Sequence, residues 1–392
     1  MKFANRINAL KPSDIREAMK LIAANPGTIS FAGGLPDPAL FPAQAMKDAT
    51  DKILTENPNL ALQYGLTLGN VNLRKKIVGL MKREGVETTV DNIAITTGSQ
   101  QAITIAAMLL VEDDSAIITE NPSYLGAFSA FKPFATDYIG VNGDKDGMLM
   151  DELEEKIKNN KNVKLIYVIP NFQNPTGRTW SLERRKALLE MARKYDLPIL
   201  EDNAYGEVRF EGERIPSIKS MDTEGRVIYL GSFSKILSPG LRVGWACADK
   251  EVILKYELVK NGLDLQSAEL AQMQVDEFLN ANDLDEHIAK INKVYKERRD
   301  LMIKTIDESF PKEARYYYPE GGMFIWVDLP SHMNTRELLK KAIENGVGFV
   351  PGGSFYPGGD CESSMRLNFS TMQNDKIVEG IKILGTILKE NI

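Results

Sequence analysis

Cysteine and histidine are scarce in this 392-residue chain, which has only Cys247, Cys361, His287 and His332. Two cysteines exclude a disulfide framework and a Cys-rich metal site. The two histidines show no ligand spacing and read as ordinary surface residues. An excess of positive charge is missing too, since 48 Lys and Arg against 54 Asp and Glu leave a formal net charge of -6. A nucleic-acid binder would need a basic stripe. The densest basic cluster, Arg74-Lys75-Lys76 with Lys82 and Arg83, falls in a helical pattern and reads as a solvated helix face. No apolar run approaches the roughly 18 to 20 residues of a membrane-spanning helix. The longest, 102–111, is interrupted by Thr104. Residues 1–11 lack the apolar core of a secretory signal. A cytosolic enzyme is the expectation that these absences leave.

What is present is an ordinary globular composition, 43% hydrophobic and 26% charged, with length enough for two or three domains. Short β-branched runs at 92–96, 115–119, 163–169, 197–201, 226–230 and 242–247 predict strands. Several are nearly continuous in apolar residues, as strands buried on both faces should be. Helical patterns fit between most of them: Ala102, Ile105, Ala106 and Leu109 form one stripe, and 182–194 is a second amphipathic stretch. The alternation predicts an α/β core with a mostly parallel sheet. The last third differs. Long helical segments over 276–309 lead to a strand at 323–329, a helix at 335–344, a strand at 365–369 and a closing helix, the pattern of a smaller α+β domain. A helix beginning at Ser13 and a Gly/Pro-rich segment at 31–42 precede the core. The expected division is 1–42, an N-terminal arm; 43–284, the large domain; and 285–392, the small domain.

In a parallel α/β sheet the chemistry gathers in loops at the carboxyl ends of strands. After the first strand come Thr97-Gly98-Ser99-Gln100-Gln101, opening a helix. This is either a plain N-cap or a seat for an anion on free backbone N–H groups. Asn171-Phe172-Gln173-Asn174-Pro175-Thr176-Gly177 follows a later strand and alone reads equally as a turn. Asp202 ends another run, with Tyr205 three residues on. Next come Ser232-Phe233-Ser234-Lys235 and then Arg242. A lysine among small hydroxyl residues, with an arginine seven positions later, suits a Schiff-base lysine beside a phosphate, or a solvated loop.

Taken in order, the Asn-Pro-Thr-Gly segment, Asp202-x-x-Tyr205 and Ser232-x-Ser234-Lys235 form one constellation. It resembles the fold type I pyridoxal-phosphate enzymes, the aspartate aminotransferase superfamily, over essentially the whole chain. Ser13-Asp14-Ile15-Arg16-Glu17, the segments 31–36 and 63–65, Glu120-Asn121-Pro122-Ser123-Tyr124 and 171–177 are similar to the kynurenine/2-aminoadipate aminotransferase subgroup. The resemblance implies a large domain with a mostly parallel central sheet, a smaller α+β domain, and pyridoxal 5'-phosphate as cofactor. It also implies that Lys235 holds the cofactor covalently and then moves the proton, and that Asp202 pairs with the pyridine nitrogen. Asn174 and Tyr205 would bond the ring's 3'-oxygen, and Tyr124 would stack on the ring. Backbone N–H groups of Ser99 and Gln100, with Ser232, Ser234 and Arg242, would hold the phosphate. Tyr64 would reach the phosphate of a neighbouring subunit, implying a homodimer with shared sites, although by itself it reads equally as a core aromatic. Arg366 would receive the substrate α-carboxylate. Its neighbours Met365, Leu367 and Phe369 alternate with polar residues, which places it on the polar face of a half-buried strand. Arg16 would meet the side-chain carboxylate of acidic substrates, with Gly34 approaching the substrate. The alternative for Arg16 is a surface partner of a helix neighbour.

The implied activity is a ping-pong exchange of an amino group. The donor would be 2-aminoadipate, an aromatic, kynurenine-like or branched-chain amino acid, or glutamate, and the acceptor 2-oxoglutarate. A β- or γ-eliminating lyase would share Lys235 and Asp202. A regulatory protein built on this fold would carry a basic winged-helix domain ahead of it, for which residues 1–12 leave no room. Neither nucleic acid nor membrane is an expected partner.

Overall fold

Strands that are apolar along their whole length need cover on both faces, and the computed structural model supplies it. The structure describes all residues except 4–6, 8–13, 135–136 and 360, and the side chains of 14–18. After a two-residue strand β1 (Ile29–Ser30) come β2 (Ile93–Thr97), β3 (Ala116–Asn121), β4 (Asp137–Asp144), β5 (Gly147–Met148), β6 (Val163–Val168), β7 (Ile199–Asp202), β8 (Val227–Ser232) and β9 (Val243–Cys247). Those from β2 to β9 form one sheet in the order β2-β9-β8-β7-β6-β3-β4-β5. Its centre, β4-β3-β6-β7-β8, is parallel, and β9 runs antiparallel to both β8 and β2. Successive side chains enter opposite cores. Leu165, Tyr167, Ile117 and Leu200 pack on one side of the sheet, and Ile166, Val168, Ile118 and Ile199 on the other. A period of two on a doubly covered sheet predicts that arrangement.

Helices cover both faces, among them Gly98–Leu110, whose Ala102, Ile105 and Ala106 are buried, and Leu182–Tyr195, which Ser181 caps through its side chain. The predicted strand at 242–247 is observed as Val243–Cys247. Arg242 precedes it in the left-handed region (φ 54°) and its guanidinium points back to the start of Gly98–Leu110, bonding the Thr97 carbonyl. The strand β4 was not anticipated. It lies second from the sheet edge, half exposed, and its polar residues give no apolar run.

The long helix Leu284–Ser309 leads into a second, antiparallel sheet. Its strands are β10 (Arg315–Tyr316), β11 (Phe324–Asp328), β13 (Val350–Pro351) and β14 (Ser364–Asn368), in the order β10-β11-β14-β13. A separate strand, β12 (Val347–Gly348), pairs with β1 and ties the N-terminal segment to this region.

Three sequence expectations change. The cluster around Arg74 is not simply a solvated face: Arg74 is buried, bonding the Val90 carbonyl, and Lys76 and Arg83 pair with Asp276 and Asp285. His287 is half-buried, edge-on to Phe278. The strand bearing Arg366 is buried along its whole length: besides its neighbours β11 and β13, Phe355, Asn174 and the Ala32 carbonyl cover the face from which Arg366 projects. Ser13, the expected start of the first helix, lies outside the described residues, and the helix is described over Asp14–Ala23. No described helix is long and apolar enough to cross a membrane.

Candidate active site

A cavity of about 350 Å³ opens where the parallel strands end. Asp202 is the last residue of β7 and Ser232 the last of β8, and Ile169 follows β6. The cavity gathers residues expected from the sequence: Gly34, Ser99, Gln100, Tyr124, Asn174, Asp202, Tyr205, Ser232, Ser234, Lys235, Arg242 and Arg366. Tyr64 is not among them; it is 77% exposed on the outside of the chain. The side chain of Arg16 lies outside the described residues.

At the inner end the Tyr167 hydroxyl donates to Asp202 Oδ2 at 2.8 Å, while Asp202 Oδ1 is buried without a hydrogen-bond partner. Burial raises the Asp202 pKa to about 6, against the Tyr167 bond and the nearby Lys235 charge. The carboxylate is therefore ionised at neutral pH. Lys235 Nζ donates to the Gly34 carbonyl at 3.0 Å and lies 5.8 Å from the centroid of the Tyr205 ring. Burial lowers its pKa to about 8; the cations of Arg366 and Arg242 add to the effect and Asp202 opposes it. A lysine so placed is a competent base and nucleophile near neutrality.

Across the cavity a chain of polar contacts reaches the second sheet. Asn174 Nδ2 donates to the Tyr205 hydroxyl at 3.2 Å, and Asn174 Oδ1 accepts from Arg366 Nη1 at 2.9 Å. Arg366 Nη2 donates to the Ala32 carbonyl at 2.8 Å. The guanidinium carbon lies 4.3 Å from the Phe324 ring centroid and 5.2 Å from that of Phe355, so aromatic rings fix it by cation–π contact. Arg366 Nε is buried and unpartnered. Burial lowers its pKa to about 10, which leaves it a cation at neutral pH. Gly34 passes close by: a Cβ there would stand 3.4 Å from Phe324 Cζ and 3.9 Å from Arg366 Nη2.

The other end of the cavity is built for an anion. Gly98 takes a positive φ of 72°, and any side chain there would collide with the Arg242 guanidinium. Glycine is therefore required where the chain turns into the helix Gly98–Leu110. No side chain caps that helix, so its first N–H groups keep their hydrogen-bonding capacity beside the positive end of the helix dipole. Ser232 Oγ donates to Ser234 Oγ at 2.9 Å and accepts from Ser234 N at 3.1 Å. Tyr124 lines the space between the two ends, and burial raises its hydroxyl pKa.

Sequence reasoning missed Tyr167, the partner of Asp202, and the rings of Phe324 and Phe355 around Arg366. A hydroxyl-bearing aromatic near the end of a strand that is otherwise aliphatic after Lys164 was a signal for Tyr167. The two phenylalanines had none, because their contact with Arg366 exists only after the second sheet packs on the first. Among the described residues no group of His, Cys, Asp and Glu could hold a metal ion.

The arrangement brings an activated amine, an ionised carboxylate with a spare oxygen, an anion seat and an arginine to one cavity. The family model for aminotransferase class I and II matches residues 31–384. The chain is 42% identical to aromatic-amino-acid aminotransferase 1 of Thermococcus litoralis, over 100% of this chain and 94% of that protein. It is 40% identical to the 2-aminoadipate transaminase of Thermus thermophilus, over 99% of this chain and 96% of that one. The kynurenine aminotransferase of Pyrococcus horikoshii, solved in complex with PMP, superposes with a TM-score of 0.95 at 41% identity, covering 100% of this chain and 97% of that one. The chain belongs to the class I and II aminotransferases, pyridoxal-phosphate-dependent enzymes of the aspartate aminotransferase-like fold.

Proposed function

We propose that this aminotransferase moves an amino group between an α-amino acid and 2-oxoglutarate in a ping-pong cycle. The proposed donors are 2-aminoadipate, aromatic or kynurenine-like, and branched-chain amino acids, with glutamate in the reverse direction. The observation that carries the reading is the convergence of Lys235, Asp202 and Arg366 on one cavity, with Asp202 Oδ1 and Arg366 Nε both unpartnered. The names of the aromatic, 2-aminoadipate and kynurenine relatives support the breadth of the donor set.

The cavity's donors fit pyridoxal phosphate. Asp202 Oδ1 would accept from the protonated pyridine nitrogen, Asn174 and Tyr205 would bond the ring's 3'-oxygen, and Tyr124 would lie against the ring. Ser99 and Gln100 N–H, Ser232, Ser234 and Arg242 would hold the phosphate. When bound, the cofactor supplies an electron sink that acidifies the substrate's Cα–H. Lys235 would anchor the cofactor through its amine, and would then take the substrate's Cα proton as a base and give a proton back as an acid. Its lowered pKa matches that two-way task, because a general base works best near the operating pH. Arg366 binds the α-carboxylate with its fork of N–H donors, and the rings of Phe324 and Phe355 hold the fork in place.

Arg16 and Gly34 are proposed to meet the substrate side chain, with Arg16 serving acidic substrates. Replacing Arg16 with Ala should raise KM for 2-aminoadipate and 2-oxoglutarate far more than for leucine or phenylalanine; equal losses would refute that role. Tyr64 is proposed to complete the site of a partner subunit in a cytosolic homodimer. Leu60, Leu62, Tyr64 and Leu66 are all exposed, and so are Leu258, Leu263 and Leu265. The two stretches are joined by a hydrogen bond from Gly65 N to Gln266, and an exposed apolar surface of this kind marks an interface. We also propose that 1–42, 43–284 and 285–392 act as arm, large domain and small domain, with Arg366 belonging to the last. Initial rates test the cycle: with amino donor and 2-oxoglutarate both varied, double-reciprocal lines should be parallel. Intersecting lines would exclude ping-pong transfer.

A further inference from the structure

The helix Lys250–Leu263 carries near its end a lysine that does not reach solvent. The Lys260 side chain is 1% exposed. Its ammonium donates to Gln101 Oε1 at 3.0 Å, to the Asp264 oxygens at 2.9 and 3.0 Å, and to Ser267 Oγ at 3.0 Å. An ammonium has three N–H donors and no acceptor, so these partners consume it. Burying a charge is unfavourable unless it is paired and hydrogen-bonded, and a methionine would fill the same space without that penalty. The position thus has a task beyond packing.

That task is visible in what the partners of Lys260 hold. All three touch Thr97, the residue before the Gly98 turn. Gln101 Oε1 accepts from Thr97 N at 2.7 Å, and Gln101 Nε2 donates to Asp264 Oδ2 at 2.6 Å. The Thr97 hydroxyl donates to Asp264 Oδ2 at 3.1 Å and lies 3.0 Å from Ser267 Oγ. On its other side the Thr97 carbonyl accepts from Arg242 Nη2 at 3.3 Å. Every polar group of Thr97 is therefore held. Leu265, between Asp264 and Ser267, takes a φ of 66°, a conformation uncommon for a side chain of its size. The tight turn lets residues on either side of it reach Thr97.

We propose that Lys260 and Asp264 are a positioning pair for the cofactor's phosphate. By locking Thr97 they fix the backbone of 98–100 and the Arg242 guanidinium in the geometry that receives the anion. The inference rests on the proposed phosphate seat at Ser99, Gln100 and Arg242. The paired charges cancel at a distance, so the effect is one of geometry and should discriminate between ligands with and without a phosphate.

The test is calorimetric titration of cofactor-free protein with pyridoxal phosphate, with pyridoxal, which has the same ring but no phosphate, and with inorganic phosphate. Asp264 is partly exposed, so Asp264→Asn should fold; Lys260→Met is the second variant. Each should weaken pyridoxal phosphate and inorganic phosphate by about tenfold, the equivalent of one lost charge-assisted hydrogen bond, and pyridoxal by less than about twofold. Equal weakening of pyridoxal and pyridoxal phosphate would reveal general damage and overturn the proposal. Unchanged phosphate affinity in both variants would overturn it too. Arg242→Ala separates the layers. If it abolishes the preference for the phosphorylated ligand while Asp264→Asn keeps it, the seat stands and the positioning role falls. If Arg242→Ala keeps the preference, the seat itself is wrong.

Discussion

Two buried polar regions lie within a few residues of each other and are built on opposite rules. Behind the loops of the cavity, Arg185 is fully buried and donates to the carbonyls of Pro170, Trp180, Ile215 and Pro216 and to Asn171 Oδ1. Those bonds match the five N–H donors of a guanidinium. Asn171 donates to Asn203, and Asn203 to the Tyr229 hydroxyl. Glu201, next to Asp202 in β7, accepts from the backbone N–H groups of Ile218 and Lys219. In the cavity, by contrast, Asp202 and Arg366 each keep one buried polar atom without a partner. Alternation along β7 separates the two regimes: one carboxylate fastens backbone, and its neighbour faces a ligand site. Satisfied burial gives rigidity, and unsatisfied burial gives binding capacity at the expense of stability.

Substitutions should separate these regimes. The largest expected effect is at Lys235: Lys235→Ala should lower kcat by about 10⁴-fold, in the upper range for a lost general acid–base group. Its thermal midpoint in cofactor-free form should hold or rise, because a buried cation is removed. Asp202→Asn should lower kcat by about 10²- to 10³-fold, as losing one preorganised electrostatic partner does, again with little loss of stability. Arg185→Met should do the reverse. Denaturant unfolding should show a loss of about 3 to 5 kcal/mol, as for other broken buried charge networks, while the surviving folded enzyme keeps most of its kcat. A large kcat loss without destabilisation at Arg185 would erase the distinction between the two regions.

The smallest effect is a shift in pH dependence. Burial and the neighbouring cations favour the neutral amine of Lys235, so its pKa falls to about 8. Only the neutral amine attacks an aldehyde. Reaction of cofactor-free protein with pyridoxal phosphate, followed by stopped-flow absorbance, should therefore rise about tenfold per pH unit below this pKa and level off above it. An ordinary lysine would keep gaining rate until the pH neared about 10.4. Arg366→Gln removes one of the cations and should move the plateau to higher pH. A plateau that does not move would show that Arg366 has no part in the shift.

Much of this was legible in the sequence, for a physical reason. A parallel sheet delivers the residues after its strands to one end, so Ser99, Asn174, Asp202 and Lys235 could be grouped from chain order, while their roles came from the family resemblance. What stayed hidden depends on contacts between distant segments. Arg185 and Lys260 resemble surface cations within amphipathic helices until tertiary packing closes around them. Alternation around Arg366 reveals that two faces differ, not that Phe355, Asn174 and Ala32 from distant segments cover the polar one. Asp137–Asp144 carries no apolar run, since a strand near the sheet edge has less to bury.

The most direct test of the central claim, that Lys235, Asp202 and Arg366 together perform amino transfer, is the visible absorption spectrum of purified holoenzyme titrated with amino acids and no acceptor. The account predicts that the band of the lysine-bound cofactor disappears into pyridoxamine phosphate absorbance with 2-aminoadipate or glutamate, and also with leucine or phenylalanine. Adding 2-oxoglutarate should then restore the band. A band that persists, or that decays with release of ammonia, would contradict amino transfer.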